Sequence, residues 1–389
     1  MVYFDNNSTT RVFESTLDAM RPFLTRDFAN PASAIAQFCG LAKAVGVQKS
    51  ILAKSLRADE ATQFVITSGA TESNNLALLG AARANPARRH VVISSIEHPS
   101  VMEVADSLRA DGYRLDILPV SPNGVIQGSE LVPVLCRDTL LVSVMLANNE
   151  TGVIQPLREL ANTVKKYDPG ILVHTDATQA VGKIPVDLSD ELADIDLLSL
   201  SAHKFHGPKG VGALFIRDAD SLSPILYGGG QQNKLRPGTE NPASLVGMVA
   251  ALSTILTSSA QLFEVCQLRD HLESGILALY ADAYVLGASV ARLPTTLNIC
   301  LPGIEAEHFV DRLAARGIAI SAGSACSYGA RRPSYVALAH GVSYEHAKSC
   351  VRLSLSIEST QQEVDLCLKA FSEELGCPEM LLNDGRETA

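Results

Sequence analysis

The feature that most constrains the fold of this chain is a series of short apolar segments separated by longer helical patterns. Most of the segments end at Gly, Pro, Asn or Asp, and residues 157–167 are typical of the helical patterns between them. Strands that are apolar on both faces are typical of a sheet covered by helices on both sides. The sequence therefore predicts an α/β fold with a doubly wound sheet. The predicted strands are 64–67, 91–94, 115–120, 140–146, 171–175, 197–200 and 211–216.

A different pattern begins after about residue 256. Residues 298–301 and 318–321 predict strands, and an amphipathic helix follows near the end of the chain. Thr360 and Glu363 have the spacing of a capping box, which predicts the start of that helix. Its apolar face is formed by Val364, Leu368, Phe371 and Leu375. This region predicts a smaller α+β domain.

Length and composition agree with two domains. The chain has 389 residues, of which 47% are hydrophobic, and this is enough to bury a sizeable core. We therefore predict a large domain over residues 15–260. A small domain is predicted from residues 1–14 together with residues 261–389.

Charge and cysteine content argue against several classes of function. The chain has 32 Lys+Arg against 42 Asp+Glu, a net charge of −10, and no basic patch, so neither nucleic acid nor an anionic membrane is an expected partner. The N-terminus lacks the features of a secretory signal, and the apolar stretch 245–256 is shorter than the roughly 18–20 residues of a membrane span. Eight cysteines without a CxxC motif indicate reduced thiols and no metal site. We expect a cytoplasmic protein.

One segment after a predicted strand suits a phosphate group, because ligands of open α/β sheets bind beyond the carboxyl ends of the strands. The segment SGATESNN at 68–75 begins a helix, so its amides and the Thr71 hydroxyl can bind an anion. Ordinary capping of the helix by Ser or Thr is the alternative explanation. Neither GxxxxGK[ST] nor GxGxxG after a strand occurs, so the common nucleotide-binding motifs are absent.

Three ionisable side chains also follow predicted strands. Asp176 either meets a cation or donors at a buried strand end, or caps the next helix. Lys204 lies among small residues, where it suits Schiff-base formation, although a solvated lysine is the common alternative. His98 suits ring stacking or proton transfer, or a structural role. A phosphate-binding segment, an acid for a pyridinium nitrogen and a lysine for an imine are together the groups that a pyridoxal phosphate site needs.

These residues lie in motifs that resemble the cysteine desulfurases of the NifS/IscS type. Those enzymes are fold-type I pyridoxal-phosphate proteins of the class V aminotransferase superfamily. The resemblance extends from the N-terminal segment to the C-terminal helix. The shared motifs are YFDNNSTTR (3–11), NPAS (30–33), TSGATESN (67–74), EHP (97–99), NNETG (148–152), HTDATQAVGK (174–183), HK (203–204), PKGVG (208–212), RPGTEN (236–241) and GSAC (323–326).

The resemblance implies a large domain with a seven-stranded, mainly parallel sheet and a smaller α+β domain. It also implies roles for the residues around pyridoxal 5'-phosphate. Lys204 holds the cofactor covalently, Asp176 pairs with its pyridine nitrogen, and His98 stacks on its ring. Gln179 reaches the phenolic oxygen, with Asn149 nearby. The implied phosphate ligands are Ala70, Thr71, Ser201, His203 and, across a homodimer interface, Thr239.

The same resemblance implies the reaction. Arg352 binds the carboxylate of the substrate L-cysteine, with help from Asn149 and Asn30. Cys326, on a loop of the small domain, accepts the sulfur as a persulfide and leaves L-alanine. Lys204, His98 and Cys326 are then the catalytic residues. The sulfur passes to an acceptor protein, with an iron–sulfur scaffold as the favoured partner.

The chain departs from the usual pattern of the family at several positions. Ala36 lies where a histidine is common, and Gln232 lies where an acidic residue is common. Arg331 and Arg332 replace an acidic pattern after the cysteine. These departures leave the cofactor residues intact, and they bear on partner choice and loop motion. Nitrogenase-specific maturation, general cluster assembly and thiolation share this machinery, so the identity of the acceptor stays open.

Three other functions fit parts of the sequence. A selenocysteine lyase or another class V enzyme uses the same cofactor, although Cys326 argues against an aminotransferase. A non-catalytic regulatory paralogue does not need the full set of site residues that this chain keeps. A cofactor-free thiol enzyme needs a base beside Cys326, and no histidine adjacent in sequence supplies one.

Overall fold

The computed structural model describes residues 1–323 and 333–376. Within these residues the strands are β1 (Val2–Tyr3), β2 (Phe64–Thr67), β3 (His90–Ser94), β4 (Arg114–Leu118), β5 (Thr139–Ser143), β6 (Leu172–Asp176), β7 (Leu197–Ser201), β8 (Gly212–Ile216), β9 (Tyr284–Val285), β10 (Thr296–Cys300), β11 (Ile318–Ala319) and β12 (Cys350–Ser354). The helices are α1 (Glu14–Thr25), α2 (Ala34–Phe38), α3 (Leu41–Ser55), α4 (Ala70–Ala84), α5 (Pro99–Ala110), α6 (Gly128–Leu131), α7 (Leu157–Tyr167), α8 (Pro242–Leu256), α9 (Ser259–Leu279), α10 (Ala306–Ala315), α11 (Tyr335–Ala339), α12 (Tyr344–Ala347) and α13 (Gln361–Leu375).

The seven predicted strands of the large sheet are confirmed, and they form one sheet in the order β2-β8-β7-β6-β5-β3-β4. Strands β3 to β7 run parallel to one another, whereas β8 is antiparallel to both β2 and β7. The predicted strand 140–146 ends earlier, at Ser143, but Val144 N and Leu146 N still donate to main-chain carbonyls at the end of β6. This continued contact keeps the loop after β5 beside the end of β6.

Helices cover both faces of this sheet, as the apolar strands predict. In β7, Leu198 and Leu200 belong to the buried cluster that includes α3, α7 and α8, while Leu197 belongs to the cluster that includes α4 and α5. All five residues of β3, β5, β7 and β8 are buried. The alternation of side chains between two covered faces explains why these strands are apolar throughout.

A second apolar core lies among α9, α10, α13 and two small sheets. These sheets are β12-β10-β9, which is antiparallel, and the parallel pair β1-β11. Val2 and Phe4 from the N-terminus are buried in this core together with residues of α9 and α13. Such packing agrees with the assignment of residues 1–14 to the small domain, although the domain boundaries themselves stay a prediction.

The C-terminal helix forms as its capping box predicts. The Thr360 side chain accepts from Glu363 N at 3.3 Å, and the Glu363 carboxylate accepts from Thr360 N at 2.9 Å. Val364, Leu368 and Phe371 are buried on one side of α13. The local signal and the tertiary packing therefore agree at this helix.

Helix α8 contains the most apolar helical stretch of the sequence. It packs against α1 and α3, and ten of its residues are buried. Over residues 1–323 and 333–376, no single helix is long and apolar enough to cross a membrane. Helices α8 and α9 are long and apolar enough only when they are taken together, and the chain bends by 73° between them.

Candidate active site

A cavity of about 530 Å³ opens at the carboxyl ends of the central strands. Its walls come from the loops after β2, β3, β5, β6 and β7, with the N-terminal segment and β12 closing one side. Strand ends of a parallel sheet meet at one edge, so residues distant in sequence converge there. Ten predicted site residues line it: Ala70, Thr71, His98, Asn149, Asp176, Gln179, Ser201, His203, Lys204 and Arg352.

Lys204 enters the cavity from a short helical turn directly after β7. Its Nζ donates to the main-chain carbonyls of Asn7 at 2.8 Å and Ser8 at 2.7 Å. The N-terminal segment therefore holds the amine in place. Both acceptors are uncharged carbonyl oxygens, so neither contact is an ion pair with a carboxylate.

Asp176 ends β6 and lies buried at the base of the cavity. Its Oδ2 accepts from Asn74 Nδ2 at 2.8 Å, and its Oδ1 accepts from Thr178 N at 2.9 Å. Neither donor is charged, and no ion pair to Asp176 occurs in the described part of the chain. A buried carboxylate with only neutral donors gains most from a cationic partner in the cavity.

His98 caps the start of α5 and lines the same cavity. Its Nδ1 accepts from Ser100 N at 3.1 Å and lies 2.8 Å from Ser100 Oγ. Since a main-chain N–H can only donate, Nδ1 is unprotonated and the ring proton lies on Nε2. Burial lowers the pKa of His98 and, together with the charge of Lys204, outweighs the raising effect of Asp176, so the imidazole is neutral near pH 7.

The anion-binding end of the cavity lies at the start of α4. Helix α4 begins at Ala70 after Gly69, whose φ of +153° lies in a region that L residues rarely adopt. The two glycines that meet here allow a close approach, because a Cβ on Gly212 would lie 2.8 Å from the Cα of Gly69. Ser201 lines this end, so hydroxyl and main-chain donors face the cavity.

His203 also lines this end of the cavity. Its Nδ1 lies 3.1 Å from Thr9 Oγ1. Burial lowers the pKa of His203 to about 4, and the positive charges of Lys204 and Lys209 contribute to this shift. The ring is therefore neutral at pH 7 and can offer one N–H to an anion.

Pyridoxal phosphate fits this donor set, and unpartnered atoms in the wall support the fit. Asn149 and Thr178 line the cavity, and each has a buried side-chain oxygen, Oδ1 and Oγ1, that has no hydrogen-bond partner among the described residues. Asp176 suits a protonated ring nitrogen, and the α4 end suits a phosphate. A volume of about 530 Å³ lies within the range typical of small-molecule sites.

Arg352 reaches the cavity from β12, on the second core. Its Nη2 donates to Asp5 Oδ1 at 2.6 Å and to Ser8 Oγ at 2.9 Å, and its Nη1 donates to Asn149 O at 3.0 Å. The side chain is only 2% exposed, and its Nε has no partner among the described residues. A fixed, buried guanidinium at the rim suits a carboxylate of a small substrate.

Two predicted site residues, Asn30 and Thr239, are described but do not line the cavity. Asn30 is exposed, and its Oδ1 accepts from Ala32 N at 3.0 Å, so it stabilises a turn. Thr239 is exposed on the segment that Arg236 holds by donating to Glu72 at 2.8 Å at the cavity rim. Cys326 lies outside the described residues. The roles of all three stay predictions.

The departures from the family pattern have structural roles where they are described. Ala36 is fully buried in α2. The Gln232 side chain accepts from Ile66 N at 2.6 Å and donates to Ile66 O at 2.8 Å, so it caps the outer edge of β2 as a neighbouring strand would. Arg331 and Arg332 lie outside the described residues.

Sequence reasoning did not assign several residues that shape the site. The lining includes the N-terminal residues Asn7, Ser8 and Thr9, and Asn74 and Ser100 connect Asp176 to His98 by hydrogen bonds. The run of Asn, Ser and Thr at 6–10 was the available signal, because these side chains form local hydrogen bonds in turns and can equally face a ligand. The position of Asn74, one turn after Ala70, was another.

Comparisons with known proteins agree with this geometry. Residues 2–367 match the family model described as aminotransferase class-V. The "Cysteine desulfurase NifS" of Azotobacter vinelandii is 42% identical over 369 residues, which are 95% of this chain and 91% of that protein. A solved "NIFS-LIKE PROTEIN" shares 36% identity with a TM-score of 0.89 and covers 96% of this chain and 99% of its own. The structure "SspA in complex with cysteine" shares 32% identity with a TM-score of 0.80. It covers 92% of this chain and 100% of its own.

Proposed function

This chain belongs to the aminotransferase class-V family, and we propose that within it the protein is a pyridoxal-phosphate-dependent cysteine desulfurase. The observation that carries the proposal is the meeting of Lys204, Asp176 and Arg352 around one cavity. These are a lysine for the cofactor, an acid for its ring nitrogen and a cation for an amino-acid carboxylate. The substrate is L-cysteine and the products are L-alanine and a protein-bound sulfur atom.

The protein's own residues bind and orient the cofactor. When bound, pyridoxal phosphate supplies an electron-withdrawing ring that weakens the bonds at the substrate's α-carbon. Lys204 holds it through the amine, and Asp176 keeps the ring nitrogen protonated. The side of the ring is covered by His98. The phosphate is bound by Ala70, Thr71, Ser201 and His203, and Gln179 and Asn149 face the phenolic oxygen.

The substrate is bound and its protons are moved by groups that the cavity already holds. Arg352 binds the carboxylate, with Asn149 beside it and Asn30 as a further contact. With the cofactor and substrate bound, the Lys204 amine would take the proton from the α-carbon of the substrate and return one to it. His98, neutral with its proton on Nε2, is a second candidate for proton transfer at the ring face.

Cys326 carries the sulfur. Its thiolate attacks the sulfur of bound L-cysteine, and a sulfur–sulfur bond forms as the carbon–sulfur bond breaks. The electron pair of the broken bond goes to carbon, which takes up a proton to become the methyl group of L-alanine. The persulfide on Cys326 then passes its outer sulfur to an acceptor protein, which we place in iron–sulfur cluster assembly.

A homodimer in the cytoplasm completes the proposal. Thr239 lies on an exposed segment held at the cavity rim by Arg236 and Glu72, so a second copy of the chain can receive it at its phosphate site. Large exposed side chains support an interface, with Phe38 94% and Tyr227 82% exposed. The described cysteines are all free thiols, which agrees with a reducing compartment.

The test of this function compares wild type with Cys326→Ala in the presence of pyridoxal phosphate and L-cysteine. Wild type is expected to be yellow, to change its visible spectrum with L-cysteine and to release L-alanine. Cys326→Ala is expected to keep the spectral change and to lose about 10³-fold or more in alanine release, because a nucleophile is removed.

Cys39→Ala is the matched control, because Cys39 is an exposed thiol that does not line the cavity. It is expected to behave as wild type. Mass spectrometry after L-cysteine treatment should show added sulfur on Cys326. A wild type that binds no pyridoxal phosphate contradicts the proposed function, and normal turnover by Cys326→Ala contradicts the assignment of the nucleophile.

A further inference from the structure

Lys183 is a buried lysine that the reaction described above does not use. Its side chain belongs to a residue only 6% exposed, and it forms no ion pair with any described residue. It lies behind the cavity wall rather than in its lining. Burial lowers the pKa of Lys183 well below its ordinary value, and the positive charges of Lys204 and Arg352 contribute. Burying an amine in such a place costs free energy of folding, so we expect a functional role for the hydrogen bonds that it makes.

The Nζ of Lys183 makes hydrogen bonds to two side-chain amide oxygens. One is Gln179 Oε1 at 2.5 Å, and the other is Asn7 Oδ1 at 2.9 Å. Both acceptors belong to residues that line the cavity. A single residue outside the cavity therefore contacts two residues inside its wall.

The oxygen and nitrogen atoms of both amides can be assigned from their other contacts. Gln179 Nε2 donates to Asn7 O at 2.9 Å, and Asn7 Nδ2 donates to Asn149 O at 3.1 Å. A main-chain carbonyl accepts only, so the nitrogen of each amide must face it and the oxygen must face Lys183. Lys183 consequently donates in both of its contacts.

This arrangement controls what the cavity offers to a ligand. With its oxygen held by Lys183 and one N–H donated to Asn7 O, Gln179 has one N–H left for the cavity side. Asn7 is held the same way, and its main-chain carbonyl also accepts from Lys204 Nζ at 2.8 Å. If Lys183 were apolar, Gln179 Oε1 would lose this donor, and the amide would be held toward the phenolic-oxygen position by fewer contacts.

We propose that Lys183 is a positioning residue that holds Gln179 with its donor toward the phenolic oxygen of the cofactor and holds Asn7 beneath the Lys204 amine. The inference rests on the proposed function, because it concerns how the same cavity binds pyridoxal phosphate. Lys183 touches neither cofactor nor substrate in this role. It acts through Gln179 and Asn7.

The test measures cofactor binding rather than turnover. Lys183→Met keeps the length of the side chain and removes the donor. Titration of the cofactor-free protein with pyridoxal phosphate is expected to show affinity reduced about 10-fold, as for other residues that orient ligand-binding side chains. The pH midpoint of the bound cofactor's visible absorption is expected to move to higher pH, because the phenolate loses a hydrogen-bond donor.

Lys165→Met is the matched control. Lys165 is also largely buried, and its Nζ donates to Asp196 at 2.6 Å and Ile171 O at 2.8 Å, at the amino end of β6 and away from the cavity. This variant is expected to lower thermal stability while leaving the cofactor affinity and the spectral midpoint as in wild type. Lys183→Gln, which keeps an amide donor, is expected to recover part of the affinity and is the second variant should Lys183→Met not fold.

A double-mutant cycle tests the route of the effect. If Lys183 acts through Gln179, Lys183→Met and Gln179→Met together weaken cofactor binding by no more than the stronger single variant. Wild-type affinity and midpoint in Lys183→Met and Lys183→Gln would overturn the inference, as would losses that multiply in the double variant. A wild type that forms no coloured complex would instead contradict the proposed function.

Discussion

The wall of the cavity and the core beneath α13 differ in what they bury. Beneath α13, the rings of Phe309 and Phe371 pack edge to face with centroids 5.0 Å apart, and the capping box at the start of the helix is fully paired. In the wall, buried oxygens of Asn149 and Thr178 have no partner among the described residues. A fold tolerates such unpaired groups where a ligand will complete them, and so stability and function are built into different regions.

The largest expected effect is at the wall. Lys204→Ala should reduce alanine release by about 10³-fold or more, because the residue that holds the cofactor is lost. It should leave thermal unfolding of the cofactor-free protein largely unchanged, since the described hydrogen bonds of its Nζ go to two main-chain carbonyls of the N-terminal segment rather than to the apolar core. Activity and calorimetry on the same preparations measure both.

Lys369→Ala is the control for this variant, because Lys369 is an exposed lysine on α13. It should retain both activity and stability. A large loss of stability in Lys204→Ala would show that the wall contributes to the fold as the second core does.

The next effect belongs to the core beneath α13. Phe371→Ala should lower the free energy of unfolding by about 3–5 kcal/mol, because it removes a fully buried ring and leaves a cavity. The visible spectrum of the folded, cofactor-bound protein should not change. Denaturant unfolding and absorption spectroscopy are the measurements.

Phe263→Ala provides the comparison for Phe371→Ala, since Phe263 on α9 is 66% exposed. Its free energy of unfolding should stay within about 0.5 kcal/mol of wild type. A changed cofactor spectrum in Phe371→Ala would show that the two regions are coupled more closely than their packing indicates.

A further effect is a pH dependence that arises at a buried carboxyl group next to the cavity wall. Burial raises the pKa of Glu97, beside His98, from 4.5 to about 8. Between these values the folded protein holds a proton that the unfolded chain releases, so stability falls as the pH rises from about 4.5 to about 8. The contribution of this group is at most ~1.4 kcal/mol per pH unit.

Glu97→Gln should flatten the stability profile between about pH 5 and about pH 8, because an amide does not titrate. Glu103→Gln, on the exposed side of α5, should leave the profile as it is in wild type. Denaturant unfolding at several pH values distinguishes the two. An unchanged slope in Glu97→Gln would mean that the carboxyl group is not protonated in the folded protein.

Much of the fold was predictable because its signals are local. The seven strands and α7 follow from the spacing of apolar residues, and the start of α13 follows from Thr360 and Glu363. The chemistry of Asp176, Lys204 and His98 was also accessible, since each follows a strand. Strand ends meet at one edge of a parallel sheet whatever the order of the strands.

Other parts of the fold and the site depend on partners far away in the chain. Nothing in the pattern of β8 indicates that it runs antiparallel to β2 and β7, because an apolar strand buried on both faces looks the same in either direction. Arg352 reaches Asp5 across 347 residues, and this contact depends on how β12 packs beside the N-terminal segment. Sequence spacing carries no information about such a contact.

The amino-acid pattern alone thus specifies the strands, the main helices and the residue types of a pyridoxal-phosphate site, because periodicity and capping act over a few neighbouring residues. Packing alone decides that Asn7, Gln179 and Lys183 share one hydrogen-bond network, and that Glu97 and His203 are shifted in pKa. Desolvation and hydrogen-bond orientation depend on every group packed around a side chain. They exist only once distant segments have come together.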